Sequence, residues 1–342
     1  MPKLFYIDKK FSQRTLATIA QVEQICDDYA AQGYDLTLRQ LYYQFVARDL
    51  IPNRQSEYKR LGDIVNDARL AGLIDWSHIV DRTRNVRSLA HWESPAQRLR
   101  AAGRGYQRDL WEGQPRRVEV WIEKDALVGV IERACQDMDV PYFSCRGYAS
   151  QSEMWGAAQR MYEYHRNGQA PVILHLGDHD PSGIDMSRDI EDRINTFFGG
   201  DFIRELYDRF EVHYKGDDRH SDEGRAAWSE YAKAHYHERP RITVERIALN
   251  MDQVHEYDPP PNFAKTTDAR FRSYAEEYGE DSWELDALEP SVLDALVRDT
   301  ISDNLDLDLF QENIDRQDEE AETIQRVATR WDEVQAFVAE GV

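Results

Sequence analysis

Cysteine, lysine and long apolar runs are all scarce in this 342-residue chain, and each scarcity excludes something. The 3 cysteines, Cys26, Cys135 and Cys145, show no C-x-x-C spacing. An odd, scattered set argues against a disulfide framework and against a cysteine zinc site. No apolar run approaches the roughly 20 residues that span a bilayer. The opening stretch MPKLFYIDKKFSQR lacks the apolar centre of a secretion signal. No Walker A phosphate loop is present, nor an internal repeat or low-complexity block. These absences lead us to expect a cytoplasmic protein with no membrane partner. Basic charge is short as well: 42 Lys and Arg face 64 Asp and Glu, a net charge of -22. Taken whole, that balance argues against a nucleic-acid partner.

What is present changes the picture. Hydrophobic residues make up 41% and charged residues 31%, ordinary for a folded soluble protein. The length allows two or three domains. Charge is unevenly placed. Residues 276–342 hold 21 acidic and 4 basic side chains, so this tail supplies 17 of the 22 net negatives. Residues 82–117 hold 9 arginines and 3 acids. A basic stripe inside an acidic chain is compatible with phosphate binding on one face, or with a solvated linker. Arg82, Arg84 and Arg87, with Lys124 and Arg146 further along, are the candidate DNA contacts.

Periodicity divides the chain. Residues 12–31, 37–46 and 56–74 each read as amphipathic helices, and "LIDWSHIVDRT" after them reads as strand. Three helices and a short strand pair suggest a winged helix-turn-helix. From residue 117 strand and helix alternate with short connections, which predicts a parallel α/β sheet. "FEVHYK" and "ITVERIAL" are further strand candidates, and the acidic end is helical. The expected organisation is multidomain α/β: a winged-helix domain over 1–100, a basic connector over 101–116, and a Rossmann-like domain with a helical extension over 117–342.

Within "TLRQLYYQFV" (37–46), Thr37 is the expected N-cap, and Leu38, Leu41, Tyr42, Phe45 and Val46 form one apolar stripe. Tyr42 lies inside that stripe. Tyr43 lies off it, one turn after Arg39. Either it is a surface phenol resting on an arginine stem, or it is a nucleophile whose phosphate target the arginine holds.

Three acids fall at predicted strand ends, where sites form in open α/β sheets: Glu123 after "VEVWI", and Asp178 and Asp180 in "LGDHDPSG". Side chains at i and i+2 of an extended segment project together. Three carboxylates this close would repel, and a hard divalent cation such as Mg²⁺ relieves that. The bland alternative has the aspartates capping the next helix and Glu123 paired with Lys124 or an arginine. His175 and His179 flank the acids and are expected to pack between layers; His235 and His237 are expected on a loop or strand face.

"WIEKDAL" and "LGDHDPSGIDM" together resemble the Toprim signature, a Glu on one strand and Asp-x-Asp on another. Their D-x-D-P-x-G form resembles the A subunit of topoisomerase VI and the related meiotic double-strand-break transesterase, above all its shortened stand-alone relatives. Arg39 to Tyr43 match that family's R-[DE]-x-[YF]-Y motif, with Gln40 in place of the acid. "RGYAS" (146–150) resembles its G-Y-P segment, with Ala149 in place of the proline, and "WELDAL" (283–288) resembles its carboxyl-terminal motif.

The resemblance implies cleavage of double-stranded DNA by Tyr43, helped by Arg39, with Mg²⁺ on Glu123, Asp178 and Asp180. It implies a 5′-phosphotyrosyl link and a homodimer in which the tyrosine of one protomer works with the metal site of the other. Any ATPase would be a separate B-type subunit. A Toprim endonuclease that activates water, in plasmid or phage defence, is the competing expectation. A catalytically silent DNA-binding protein is the third.

Overall fold

Caps already visible in the sequence start the amino-terminal helices. Ser12 accepts from the Thr15 amide and opens α1, Gln13–Ala30. Thr37 opens α2, Leu38–Ala47, through a capping box: the Thr37 hydroxyl accepts from the Gln40 amide, and the Gln40 side chain accepts from the Thr37 amide at 2.8 Å. α3, Gln55–Leu70, ends before Gly72, whose φ of +71 suits glycine and where an added Cβ would meet the backbone of Leu4 and Phe5. The inward faces of the three helices, including Val22, Ile25, Leu41, Phe45, Leu61 and Val65, form one core. The computed structural model describes residues 3–80, 89–214, 216 and 220–340.

The expected strand after α3 is not formed by the described residues. Asp75 accepts from the Ser77 amide at 2.8 Å, a local turn that breaks the run. Only a single parallel bridge, Leu36 to Ile79, remains of the strand pair. The three helices of the winged-helix expectation are present; among the described residues no strand pair follows them, and residues 81–83 of the expected strand lie outside the described residues.

The stretch expected as connector contains a helix, α4, Pro95–Arg104, capped by Ser94 with proline in its first turn. The expected boundary at residue 100 thus falls inside an element. The chain then alternates: β1 (Arg116–Ile122), α5 (Val128–Asp137), β2 (Tyr142–Ser144), α6 (Gln151–Arg166), β3 (Ala170–Leu176), α7 (Pro181–His213), α8 (Asp222–His235) and β4 (Thr243–Ala248). α9 (Met251–Tyr257), the two-residue strand β5 (Asn262–Phe263), α10 (Phe271–Tyr278) and its antiparallel partner β6 (Asp281–Ser282) follow. α11 (Pro290–Asp303), α12 (Leu307–Thr329) and α13 (Trp331–Ala339) close the chain.

The four-stranded sheet runs β2-β1-β3-β4 and is parallel throughout. Alternation sorts its two faces. Val118, Val120, Ile122, Val172, Leu174 and Leu176 pack with α5 and α11 residues such as Ile131 and Val297. Trp121 and Ile173 turn the other way, against Met154 and Met161 of α6 and Ile190 and Ile194 of α7. Helices on both faces of a parallel sheet give a three-layer α/β arrangement.

"FEVHYK" is not a strand. Met186, Ile190, Ile194, Phe198, Phe202, Leu206 and Phe210 are all buried at steps of four, so α7 continues its stripe through Gly199-Gly200 and ends only at His213.

The acidic tail and the basic stretch meet. Arg108 pairs with Glu320 at 2.7 Å and Glu112 at 2.8 Å, and Tyr106 donates to Glu320. α4 packs along α12, and Gly103 is the close-approach point: a Cβ there would stand 2.8 Å from Gln325 Cγ and 3.3 Å from the Ala321 carbonyl. Gly103→Val should therefore destabilise the protein by about 1–3 kcal/mol through overpacking. Urea denaturation followed by circular dichroism measures this, and an unchanged midpoint would refute the seam.

Candidate active site at the carboxyl ends of the central strands

The chain passes from β1 outward to β2 and then returns across it to β3. The winding direction reverses between β1 and β3, and open α/β sheets bind their ligands in the crevice at that point. Glu123 directly follows β1, and the turn Gly177-Asp178-His179-Asp180 follows β3. The structure brings the three expected acids to one place. Glu123 Oε2 accepts from the Asp178 amide at 2.8 Å. Asp180 caps α7, accepting from the Gly183 amide at 2.6 Å, and Pro181 occupies the first helical position. Gly183 is required there, because a Cβ would lie 2.2 Å from the Asp178 carbonyl oxygen.

A half-buried arginine underpins this turn. Arg246 of β4 donates to the carbonyls of Gly177 (2.9 Å), Asp178 (2.6 Å) and Gly183 (2.9 Å) and to the Ser187 hydroxyl (3.1 Å). The sequence signal for it was one guanidinium inside the apolar run "ITVERIAL".

The segment 283–287 lies directly against the acidic turn. His179 and Trp283 exchange backbone hydrogen bonds at 2.8 and 2.9 Å, and Asp178 Oδ1 accepts from the Leu285 amide at 2.7 Å. Glu284 and Asp286 are thereby carried to two cations. Lys124 Nζ lies 2.8 Å from Asp178 Oδ1, 2.8 Å from Glu284 Oε2 and 2.5 Å from Asp286 Oδ1. Arg39 of α2 pairs with Glu284 Oε2, and its Nε lies 2.8 Å from Asp286 Oδ2. "WELDAL" was legible as a motif, but the placing of its two acids between these cations was not.

Tyr43 is buried, not displayed on a flank. It packs edge-to-face with Tyr42, ring centroids 5.4 Å apart, in the core of the first three helices. The Arg39 guanidinium stands 5.9 Å from its ring centre, and Glu284 lines the same cavity. Tyr42 has the structural role, its hydroxyl donating to Asn53 and accepting from the Arg54 amide at 2.7 Å. Gln40 is explained by the capping box, for which glutamine and glutamate serve alike. Arg39, Tyr43, Lys124, Asp178, Asp180 and Glu284 all line one cavity of about 510 Å³, with Phe263 on its rim.

The electrostatics follow from five carboxylates around three cations. Burial, then repulsion from Glu123 and Asp286, pushes Asp178 up to about 7 despite Lys124. Burial also raises Glu123, and Asp180 adds to it. Burial acts on Glu284 in the same direction, but Lys124 and Arg39 outweigh it and hold the carboxyl at about 2. Burial raises the Tyr43 phenol above its ordinary value, with Glu284 and Asp286 adding to the effect against Arg39.

Among the described residues no three His, Cys, Asp or Glu side chains stand close enough to hold a metal ion. As hard oxygen donors, Glu123, Asp178 and Asp180 are of the type that suits a divalent cation, and burial already disfavours the charges of Glu123 and Asp178. Their present contacts are those of the alternative reading: a backbone amide, Lys124 and a helix cap.

Of the expected DNA contacts, Arg82, Arg84 and Arg87 lie outside the described residues. Arg146 is exposed and pairs with Asp125 at 3.1 Å. Lys124 is no free surface cation, because three carboxylates hold it. His175 packs as expected, 2.8 Å from the Ser187 hydroxyl, and His179 lies 2.8 Å from the Tyr274 hydroxyl among aromatic rings. His235 ends α8 and His237 sits in the short turn after it. Among the described residues no helix is long and apolar enough to cross a membrane. Comparison with protein-family models, curated proteins and solved structures gives no match.

His175 is fully buried, and burial followed by the nearby Arg246 lowers its pKa to about 3. A depressed histidine contributes stability above its unfolded value of about 6.5 and loses it as the pH falls toward the folded value. The stability gap between wild type and His175→Asn should therefore narrow by about 2 kcal/mol from pH 7.5 to pH 5. Paired denaturant titrations measure this, and a gap that widens on acidification would be inconsistent with a neutral buried imidazole.

Proposed function

We propose that this chain is a Mg²⁺-dependent DNA-cleaving transesterase of the topoisomerase VI A-subunit kind. One observation carries the reading: a tyrosine and an arginine one turn apart on α2, and a lysine from the turn after β1, line one cavity with the acids at the sheet's switch point. The Tyr43 oxygen attacks the scissile phosphorus, the P–O3′ bond breaks, and a 5′-phosphotyrosyl link and a 3′-hydroxyl result. The ester energy stays in the link, so resealing needs no other source. Arg39 and Lys124 hold the phosphate oxygens and stabilise the charge that builds on them. Glu123, Asp178 and Asp180 are the residues that would hold Mg²⁺, which when bound supplies further charge neutralisation. Arg246 keeps the acidic turn in place through its carbonyl contacts.

Double-stranded DNA is the proposed substrate. A homodimer would cut both strands, and an ATPase, if used, is a separate B-type subunit. All three cysteines are free and buried, consistent with a reducing cytoplasm. Hydrolysis by a Toprim endonuclease is the second reading, favoured by the raised Tyr43 phenol, which resists ionisation.

Supercoiled plasmid incubated with protein and Mg²⁺, stopped with detergent and run with and without protease, separates the two. Protein-linked 5′ ends that vanish in Tyr43→Phe are expected, with a loss of at least about 100-fold. Free ends that persist in that variant establish hydrolysis instead. DNA that is bound but uncut by either protein would favour a silent binding module.

A further inference from the structure

The cations assigned to substrate are already engaged. Arg39 and Lys124 both hold the same carboxylate, that of Glu284, and Tyr43 lines the cavity beside it. A guanidinium fork, a point-charge ammonium and a phenol are the donors that hold a phosphate oxygen. The two acids of the segment are not equivalent. Asp286 is sealed, its side chain 1% exposed, whereas that of Glu284 is 26% exposed and lines the cavity. Asp286 also keeps contacts to both cations, so the pair stays partly neutralised if Glu284 leaves. The backbone on either side of Glu284 is fixed by the His179–Trp283 pair and the Asp178–Leu285 bond, so its side chain is the part free to yield.

We infer that Glu284 is an internal stand-in for the substrate phosphate, filling the oxyanion position between Arg39, Lys124 and Tyr43 until a phosphodiester displaces it. Substrate entry is then an exchange of one singly charged anion for another. Unoccupied cations are never presented to the many other anions that would bind them, and only a ligand reaching deep between the two lobes can compete. The inference rests on the reading of the site as a phosphodiester site.

The test uses the full chain in a Tyr43→Phe background, so that binding is read without turnover. Glu284→Gln keeps the side-chain shape and removes the charge. It should tighten binding of a labelled 20-base-pair duplex about tenfold in fluorescence anisotropy, and inorganic phosphate should compete at lower concentration. Adding Arg39→Gln should abolish the gain. Equal or weaker binding by Glu284→Gln, with an intact thermal transition, overturns the inference. If that variant does not fold, Glu284→Asp withdraws the carboxylate by one methylene. It should give a smaller gain, and no gain would be equally fatal. The two readings fail separately: missing covalent ends with tightened binding leave a phosphate site without transesterification, while covalent ends without tightening leave Glu284 a structural residue.

Discussion

One ammonium group governs the architecture of the site. Lys124 is shared by Asp178, Glu284 and Asp286, which arrive from the turn after β3 and the segment before α11. A buried charge is tolerated only when paired and hydrogen-bonded, and removing one member of such a set costs several kcal/mol. The reciprocal pKa shifts express this constraint. Glu284 is pulled far down and Asp178 is left high, because one cation and its Arg39 neighbour cannot neutralise every carboxylate. The sheet places its acids at the switch point for topological reasons. Lys124 and Arg39 are what make so many acids compatible with burial.

The same ions join the two lobes. Arg39 belongs to α2, one of the three helices of the amino-terminal lobe, while Glu284 and Asp286 belong to a strip hydrogen-bonded to the sheet's acidic turn. Tyr29 donating to the Glu289 carboxylate, and Asn53 bonded to Asn262 at 2.6 Å, add hydrogen bonds along the same seam. Ala287 goes further and packs into the amino-terminal core. A segment that is at once backbone partner of one lobe and core residue of the other fixes where α2 sits over the strands. That places Tyr43 in the same cavity as Asp178 and Asp180 of its own chain.

What the sequence made legible, and what it hid, follows from range. Local signals were readable: the Thr37 cap, the parallel strands from residue 117, and the acids at their ends. The α7 stripe was equally local, a buried residue at every fourth position from Met186 to Phe210, yet a Gly-Gly pair and a short alternating run masked it. Long-range pairing was not readable. Nothing in "WELDAL" shows that its acids meet a lysine some 160 positions earlier, and nothing in residues 95–104 shows a helix waiting for α12. Tyr43 was placed correctly relative to Arg39 but wrongly with respect to solvent. A short helix between lobes can be covered on both flanks, and periodicity reports only the side that is apolar.

In the transesterification proposed above, the proton of Tyr43 is the remaining physical problem, and the electrostatics of the site narrow it. A carboxyl held at about 2 is a poor acceptor for a phenol raised above its ordinary value near 10. Glu284 in this setting is therefore a counter-ion and no base. Replacing it with a phosphodiester exchanges one negative charge for another, so the field at Tyr43 changes little. What changes is the atom that faces the phenol, from an inert carboxyl carbon to an electrophilic phosphorus. Activation must then come from stabilising charge as the new bond forms, by cations already in position, and not from a strong base. A buried tyrosine with a raised pKa is compatible with the proposed site: it stays protonated, and in the proposed reaction only an anion that takes the carboxylate's place would meet it.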